Sequence, residues 1–495
     1  MNKIFKITLF SIIVLEFFSL YAFVYPILNK AFFVLILAAV LYLSWKNLSY
    51  GVYAVLAELI IASKGYLFSW EIGGKSLSIR IGIFLAVMAV WLIKVIISSR
   101  KKRKMDIKFL KSKFFPYFLA LFILMVWGVF SGIINGNNLG NIFLDSNGWL
   151  YFAIIFPLFD AIKRENFKEL FSVILAAATA LVIKTLLIFF IFSHSVTYIM
   201  PGLYRWIRVT GVGEITDMSF GFYRVFFQSH IYAALGFFIL LPLIGEKFVH
   251  KKESLKYNIK ILTFIISLAA IIIISFSRSF WVGTAAALLI YFAGLLILFK
   301  EKIKFLFIRG IVIVTIFLTA ILSIVILVKI PLPGTGGAVD LSSALNERTT
   351  NLSEAAVGSR WNLIGPLWRE IKVNPVFGSG FGRTVTYKTE DPRALENNPN
   401  GEYTTYAFEW GYFDIWLKLG VVGLAAYLLL IFKLLKAGWK LKENNLFLGS
   451  ILSIIALAII HFFTPYLNHP LGIGYLALMA VIYENYDLLQ TQKYS

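Results

Sequence analysis

Cysteine is absent from this sequence of 495 residues. Its absence excludes disulfide bonds, thiolate zinc sites and a cysteine nucleophile. Histidine is also scarce. The chain has five histidines, which are scattered along it and form no cluster with metal-ligand spacing. The sequence therefore predicts neither a metal site nor a cofactor.

Charged residues are few as well. They make up 15% of the chain, whereas 59% of the residues are hydrophobic. A soluble domain is about a quarter charged and about half apolar, so lipid must solvate much of this protein's surface. The net charge of +21 would suggest nucleic acid for a soluble protein. Here the basic residues form short clusters between apolar stretches, and we expect membrane lipid as a partner and no nucleic acid.

Apolar stretches long enough to cross a bilayer recur along the whole chain. A helix needs about 20 apolar residues to span the hydrocarbon core. The sequence thus predicts an all-α, polytopic transmembrane bundle of about 14 spans, whose first helix is retained because no small-residue cleavage site follows it. The predicted spans are 4–25, 30–45, 50–68, 80–98, 114–134, 148–162, 168–192, 226–245, 259–276, 279–299, 308–330, 412–435, 446–463 and 470–487.

Only Ser277 and Arg278 separate the spans 259–276 and 279–299. A single helix over both would be about 60 Å long, which is twice the thickness of the bilayer core. We therefore predict two helices that meet at this point.

The basic clusters set the orientation, since short cytoplasmic loops carry the excess of Lys and Arg. The strongest cluster runs from Arg100 to Lys113, and the span count places the other clusters on the same side of the membrane. We therefore predict a protein of the cytoplasmic (inner) membrane with both termini in the cytoplasm. The other clusters are Lys3/Lys6, Lys163/Arg164, Lys247/Lys251/Lys252/Lys256, Lys300/Lys302/Lys304 and Lys433/Lys436/Lys440/Lys442.

Two longer loops, 193–225 and 331–411, fall on the opposite, extracytoplasmic side. Loops longer than about 12–15 residues are usually functional or disordered. The chain accordingly divides into four predicted parts: N-terminal helices with the outer loop at 193–225 (1–225), central helices (226–330), a large catalytic loop (331–411) and C-terminal helices (412–495).

Within the large loop, residues 358–372 predict an amphipathic helix. Apolar residues at 361, 364, 367, 368 and 371 form one face, and tryptophan on that face is typical of a helix lying in the membrane interface. Pro375 and the glycines that follow it end this helix. A purely supporting strut is the alternative interpretation.

Two further segments combine charge with membrane boundaries. Arg278 lies at the outer end of a span, where an arginine commonly does no more than extend to the interface. Glu409-Trp410-Gly411-Tyr412 leads into a span with Gly420 and Gly423, and small residues at this spacing usually serve close helix packing.

Taken together, these segments resemble the O-antigen ligase and polymerase family of bacterial surface-glycan enzymes. The resemblance covers roughly residues 226–440. The Glu409 position carries histidine in the family ligases, and Trp410 stands where they have asparagine. The matching motifs are Ser277-Arg278, Gly358-Ser359-Arg360-Trp361, Asn374-Pro375, Gly378-Ser379-Gly380-Phe381-Gly382, Tyr412 and Gly420 to Leu424.

The resemblance implies glycosyl transfer from a polyprenyl-pyrophosphate-linked glycan to a hydroxyl of an acceptor glycan or lipid, outside the cytoplasmic membrane, without a metal and with inversion. Guanidinium groups match phosphate geometry, so Arg278 and Arg360 are candidates for a clamp on the pyrophosphate. Fixed arginines can stabilise leaving-group charge in place of a metal. A carboxylate is a competent general base, and Glu409 is the candidate.

Further residues on the predicted outer side are candidates for binding the donor pyrophosphate or glycan, namely Arg205, Arg208, Arg224, Arg369 and Tyr412. Interfacial anchoring explains the aromatic residues near the first three arginines about as well. Glu16 and Glu58 lie inside predicted spans, where we expect interhelical hydrogen bonds.

Several functions remain open at this point. A polymerase would use another lipid-linked repeat as acceptor and a ligase would use a different acceptor; glutamate in place of histidine favours the polymerase. A polysaccharide flippase or other secondary transporter is the alternative, although such proteins usually contain internal repeats and none is visible. The third interpretation is an inactive partner of other polysaccharide assembly proteins.

Overall fold

The computed structural model describes residues 2–72, 74–102, 107–218, 222–250, 255–330, 355–390, 395–396 and 398–493. The first part of the predicted large loop, 331–354, therefore lies outside the described residues. The same holds for Arg103, Lys104, Lys251 and Lys252 of the basic clusters.

Helices form most of the described chain. The N-terminal half contains α1 (Lys3–Val24), α2 (Pro26–Lys46), α3 (Leu48–Ile61), α4 (Ile79–Lys102), α5 (Phe115–Ile134), α6 (Leu139–Ser146), α7 (Ile155–Ala161), α8 (Phe167–Ser193) and α9 (Met200–Val209). The C-terminal half contains α10 (Ile231–His250), α11 (Leu255–Ile274), α12 (Arg278–Ile297), α13 (Ile303–Lys329), α14 (Ala355–Val373), α15 (Gly411–Trp439), α16 (Asn445–Phe463) and α17 (Pro470–Lys493).

Ten helical segments in the described part are long and apolar enough to cross a membrane, and three shorter apolar helices accompany them. Every predicted span overlaps a helix. The all-α, polytopic membrane bundle is thus confirmed, whereas the count of about 14 spans stays a prediction. The predicted break before Arg278 is present, because Phe276 adopts a left-handed φ of 45° between α11 and α12.

Three antiparallel hairpins were not predicted. They form outside the long helices, and each contains only two strands. One of them follows α3, which ends well before the predicted limit of 68. The hairpins are β1 (Ser69–Ile72) with β2 (Lys75–Ser78), β3 (Gly213–Asp217) with β4 (Tyr223–Phe227), and β5 (Val385–Lys388) with β6 (Glu402–Thr405).

Helix α14 confirms the predicted helix at 358–372, and its apolar residues divide into a buried row and two exposed tryptophans. Leu363, Leu367 and Ile371 are buried against strand β5 and helix α15. Trp361 and Trp368, which were predicted to lie in the membrane interface, are 63% and 39% exposed. The aliphatic row at i, i+4 and i+8 fixes the rotation of the helix, which leaves both indoles on the outside.

The glycine-rich turn after α14 inserts into the helix bundle. Gly378, Gly380 and Gly382 have φ angles of 75°, 80° and 75°, which favour glycine. A Cβ atom on Gly380 would lie 2.0 Å from the backbone nitrogen of Gly132 in α5. The close approach of the two backbones therefore requires glycine here.

Helix α15 is interrupted where this turn meets it. Gly420 has φ 70° and ψ −177°, so the backbone carbonyls before it leave the helical pattern. The carbonyl groups of Leu417 and Lys418 accept hydrogen bonds from the N–H groups of Ser379 (2.7 Å) and Gly380 (3.0 Å). The predicted packing role of Gly420 thus takes the form of a helix break that anchors the turn.

A buried ionic network lies beside this anchor. The Lys418 Nζ atom is 2.5 Å from a carboxylate oxygen of Asp145 in α6 and 2.5 Å from one of Asp414 in α15. Asp145 also accepts the N–H of Gly382 (2.9 Å), and Asn468 donates to Asp414. The network joins α6, the glycine-rich turn, α15 and the segment before α17.

Two more ion pairs link helices in the N-terminal half. Lys184 of α8 pairs with Glu16 of α1, and Arg80 of α4 pairs with Glu58 of α3 at 2.9 Å. The expectation that Glu16 and Glu58 bond between helices is confirmed.

Candidate functional site

One cavity of about 640 Å³ brings together the three predicted catalytic residues, Arg278, Arg360 and Glu409. Five cationic side chains and two carboxylates line it, which leaves an excess of three positive charges. The lining residues are Lys64, Arg208, Gly211, Gly213, Glu214, Arg224, Phe226, Gln228, Ser277, Arg278, Ser279, Arg360, Glu409, Phe463, Thr464, Pro465, Tyr466 and His469.

Arg278 is the first residue of helix α12. Strand β4 supports the preceding turn, since Arg224 donates through Nε to the carbonyl oxygen of Ser275 at 3.0 Å. Arg224 also lies over the ring of Phe226, 4.9 Å from its centroid. A cation at a helix N-terminus is opposed by the helix dipole, whereas an anion there is favoured by both the dipole and the guanidinium group. This position is therefore suited to an anionic ligand.

Arg360 and Glu409 form an ion pair in the lining of the cavity. Their side chains are 34% and 52% exposed, so both stay open to a ligand. The indole N–H of Trp410 donates to the backbone carbonyl of Arg360 at 2.8 Å. That bond ties the start of α15 to helix α14 and holds the two charged side chains together.

A second arginine–glutamate pair lines the same cavity. Arg208 of α9 and Glu214 of β3 are 3.0 Å apart, with side chains 37% and 44% exposed. The site thus contains two carboxylates in comparable surroundings, and each of them is a candidate base by position alone.

The segment between α16 and α17 closes the remaining side. Thr464 donates through Oγ1 to Ser279 Oγ at 3.1 Å. Burial lowers the pKa of His469 to about 3, and the nearby charges of Arg80 and Lys64 add to this effect. His469 is therefore neutral at physiological pH, and its Nδ1 accepts the N–H of Leu471 at 3.4 Å.

Three of the predicted binding residues do not line the cavity. Arg205 and Arg369 are exposed on α9 and α14. Tyr412 packs between α15 and α16, where its hydroxyl donates to the carbonyl of Ala458 at 2.8 Å and its ring lies 4.7 Å from that of His461. Their binding roles stay predictions.

Several lining residues were not predicted as site residues, among them Lys64, Glu214, Gln228 and Thr464. Lys64 offered one signal, because a lysine inside the predicted span 50–68 is a candidate for a functional role. No group of three His, Cys, Asp or Glu residues that could hold a metal ion occurs in the described part of the chain.

Residues 262–428 match a protein-family model described as O-antigen ligase. No curated protein matches the chain. Every motif named for the family resemblance lies within the matched residues, whereas Lys64, Arg208, Glu214 and His469 lie outside them. With the apolar helices, this match supports the role of a multi-pass membrane glycosyltransferase of the O-antigen ligase or polymerase type. The match therefore supports an assignment of residues 262–428 to the O-antigen ligase family.

Proposed function

We propose that this protein polymerises a polyprenyl-pyrophosphate-linked oligosaccharide on the extracytoplasmic face of the inner membrane. The observation that carries the proposal is the shared cavity of Arg278, Arg360 and Glu409. Two guanidinium groups and one carboxylate are what transfer of a glycan from a pyrophosphate requires.

In the proposed reaction, the acceptor hydroxyl oxygen forms a bond to the anomeric carbon of the donor sugar. The bond between that carbon and the phosphate oxygen breaks, and its electron pair leaves with the polyprenyl pyrophosphate. Glu409 accepts the hydroxyl proton. A direct displacement of this kind inverts the anomeric configuration.

The charge of the cavity supports this reaction. The leaving pyrophosphate gains negative charge as the bond breaks, and preorganised cations at that place stabilise the transition state more than the ground state. Arg278, with Arg224 beside it, lies at the N-terminus of α12, where the dipole adds to this effect. The arginines supply the electrostatic stabilisation, so no step of the proposal needs a metal.

The orientation rests on the basic clusters. All the lining residues lie on the side opposite the segment that runs from Arg100 to Lys113, by the span count of the sequence. Both termini would then lie in the cytoplasm, and the acceptor would be presented outside the inner membrane together with other polysaccharide assembly proteins.

Glu409 in place of the family histidine favours a polymerase, whose acceptor is a second lipid-linked repeat. Ligation to another glycan or to a lipid uses the same bond changes. The two activities therefore differ in the acceptor and not in the chemistry of the cavity.

Reconstitution tests the proposal. The purified protein in proteoliposomes should convert a defined lipid-linked oligosaccharide into longer chains. It should release one polyprenyl pyrophosphate for each glycosidic bond that forms. Movement of the oligosaccharide across the bilayer without bond formation would indicate a flippase instead. A protein that neither extends the oligosaccharide nor moves it across the bilayer would contradict both activities. The remaining interpretation would then be an inactive partner of other polysaccharide assembly proteins.

A further inference from the structure

The turn between α3 and β1 brings a cation to the cavity from outside the family-matched segment. Ser63 adopts a left-handed φ of 49°, and Gly65 has a φ of 89°. Both residues are buried, whereas Lys64 between them is exposed and lines the cavity. The backbone of this turn thus directs one charged side chain to the site.

Buried polar contacts hold the turn in place. Arg80 donates through Nη1 to the carbonyl of Ser63 at 2.6 Å and pairs with Glu58 at 2.9 Å. The hydroxyl groups of Ser63 and Ser229 are 3.1 Å apart. A left-handed residue other than glycine persists only where its surroundings over-determine it, and such residues concentrate at ligand-binding sites.

The same arrangement occurs before a second cation of the cavity lining. Phe276, with a φ of 45°, lies two residues before Arg278. Two of the four non-glycine residues with positive φ in the described ranges therefore precede a cation of this one cavity. Lys64 and Arg278 are each placed by a left-handed turn.

The charge of Lys64 is not compensated locally. Arg208 pairs with Glu214 and Arg360 pairs with Glu409, but no described carboxylate lies within ion-pair distance of the Lys64 ammonium group. His469, whose pKa is lowered to about 3 by burial and the neighbouring cations, is neutral. Lys64 therefore presents a positive charge to a ligand in the cavity.

We propose that Lys64 binds the pyrophosphate group of the lipid-linked donor, together with Arg278. This inference rests on the proposed function, and it adds a binding residue that the family-matched segment does not contain. An ammonium group on a flexible stem is a point charge that can follow a phosphate group as it leaves, whereas Arg278 is fixed at the start of a helix.

Pyrophosphate binding tests this inference directly. Inorganic pyrophosphate would be titrated into the full-length protein in nanodiscs and followed by calorimetry. Lys64→Met should weaken binding about tenfold or more, since a hydrogen bond to a charged group is lost. Lys64→Arg should stay within about threefold of the wild type because it keeps the charge. The matched control is Lys388→Met, which removes an exposed lysine outside the cavity and should leave the affinity unchanged.

Each other outcome is decisive. Unchanged affinity in Lys64→Met, with binding lost in Arg278→Met, would overturn the role of Lys64 and leave the proposed function standing. An absence of pyrophosphate binding by the wild-type protein would instead contradict the proposed function itself. Equal losses in Lys64→Met and Lys388→Met would show a general effect of charge and overturn the inference as well.

Discussion

Replacing Glu409 with glutamine is expected to lower the turnover of glycosyl transfer by about 10²- to 10⁴-fold, the usual contribution of a general base. Glutamine keeps the size of the side chain but cannot accept the proton of the acceptor hydroxyl. The side chain is 52% exposed, so folding should not suffer. The measurement is the rate of chain extension at saturating donor and acceptor, with thermal unfolding in detergent as the check on folding.

Glu214→Gln is the matched control for this prediction. Glu214 lines the same cavity and pairs with an arginine in the same way as Glu409 does. We expect the Glu214→Gln protein to keep turnover within about tenfold of the wild type, because the proposal assigns the general base to Glu409 and not to Glu214. The reverse pattern, with loss in Glu214→Gln and activity in Glu409→Gln, would assign the base to Glu214.

Replacing Arg278 with alanine is expected to lower turnover by about 10²- to 10³-fold, the range found when one donor to a developing negative charge is removed. The guanidinium group would contact the leaving pyrophosphate, whose charge grows in the transition state. The change should not destabilise α12, since a cation at a helix N-terminus is unfavourable. Single-turnover rates of polyprenyl pyrophosphate release measure the effect.

Arg164→Ala is the control for Arg278→Ala. Arg164 is an exposed arginine in the connection between α7 and α8 that does not line the cavity, so its loss should leave the single-turnover rate unchanged. If Arg278→Ala released polyprenyl pyrophosphate at the wild-type rate, Arg278 would have no place in the clamp.

The apolar lengths of the sequence predicted the membrane bundle well, because a span in lipid depends mainly on local composition. The helix break before Arg278 followed from length alone. The hairpins did not follow from the sequence, since strands of four or five residues carry almost no periodic signal. The early end of α3 was missed for a related reason: the left-handed backbone of Ser63 depends on contacts with Arg80 and Ser229.

The site residues that belong to short sequence motifs could be predicted. Arg278, Arg360 and Glu409 came from motifs in the matched segment, and the structure brings them into one cavity. Lys64 and His469 join them through tertiary packing across hundreds of residues of sequence. The position of Lys64 inside a predicted span marked it as unusual, but no local pattern predicts its contact with the cavity. The role of all these residues in catalysis stays a prediction.

Helix rotation explains the difference between Arg205 and Arg208. Both residues belong to α9, and no sequence pattern distinguished them. Buried Leu203, Trp206 and Ile207 fix the rotation of this short helix. Arg208 then faces the cavity and pairs with Glu214, whereas Arg205 does not line it.

The sequence indicates part of the buried network of Lys418, Asp145 and Asp414, although the network was not predicted. Asp414 and Lys418 lie four residues apart within a predicted span, and ionisable residues inside spans are candidates for structural or functional roles. Asp145 could not be added from sequence, since its distance in sequence from Lys418 hides the contact.

A structure of the protein with polyprenyl pyrophosphate bound tests the central claim most directly. The account predicts diphosphate density inside the cavity, within hydrogen-bond distance of the guanidinium groups of Arg278 and Arg360, with Glu409 beside the outermost phosphate. Diphosphate density at the opposite end of the bundle, or in this cavity but out of reach of both arginines, would contradict the account.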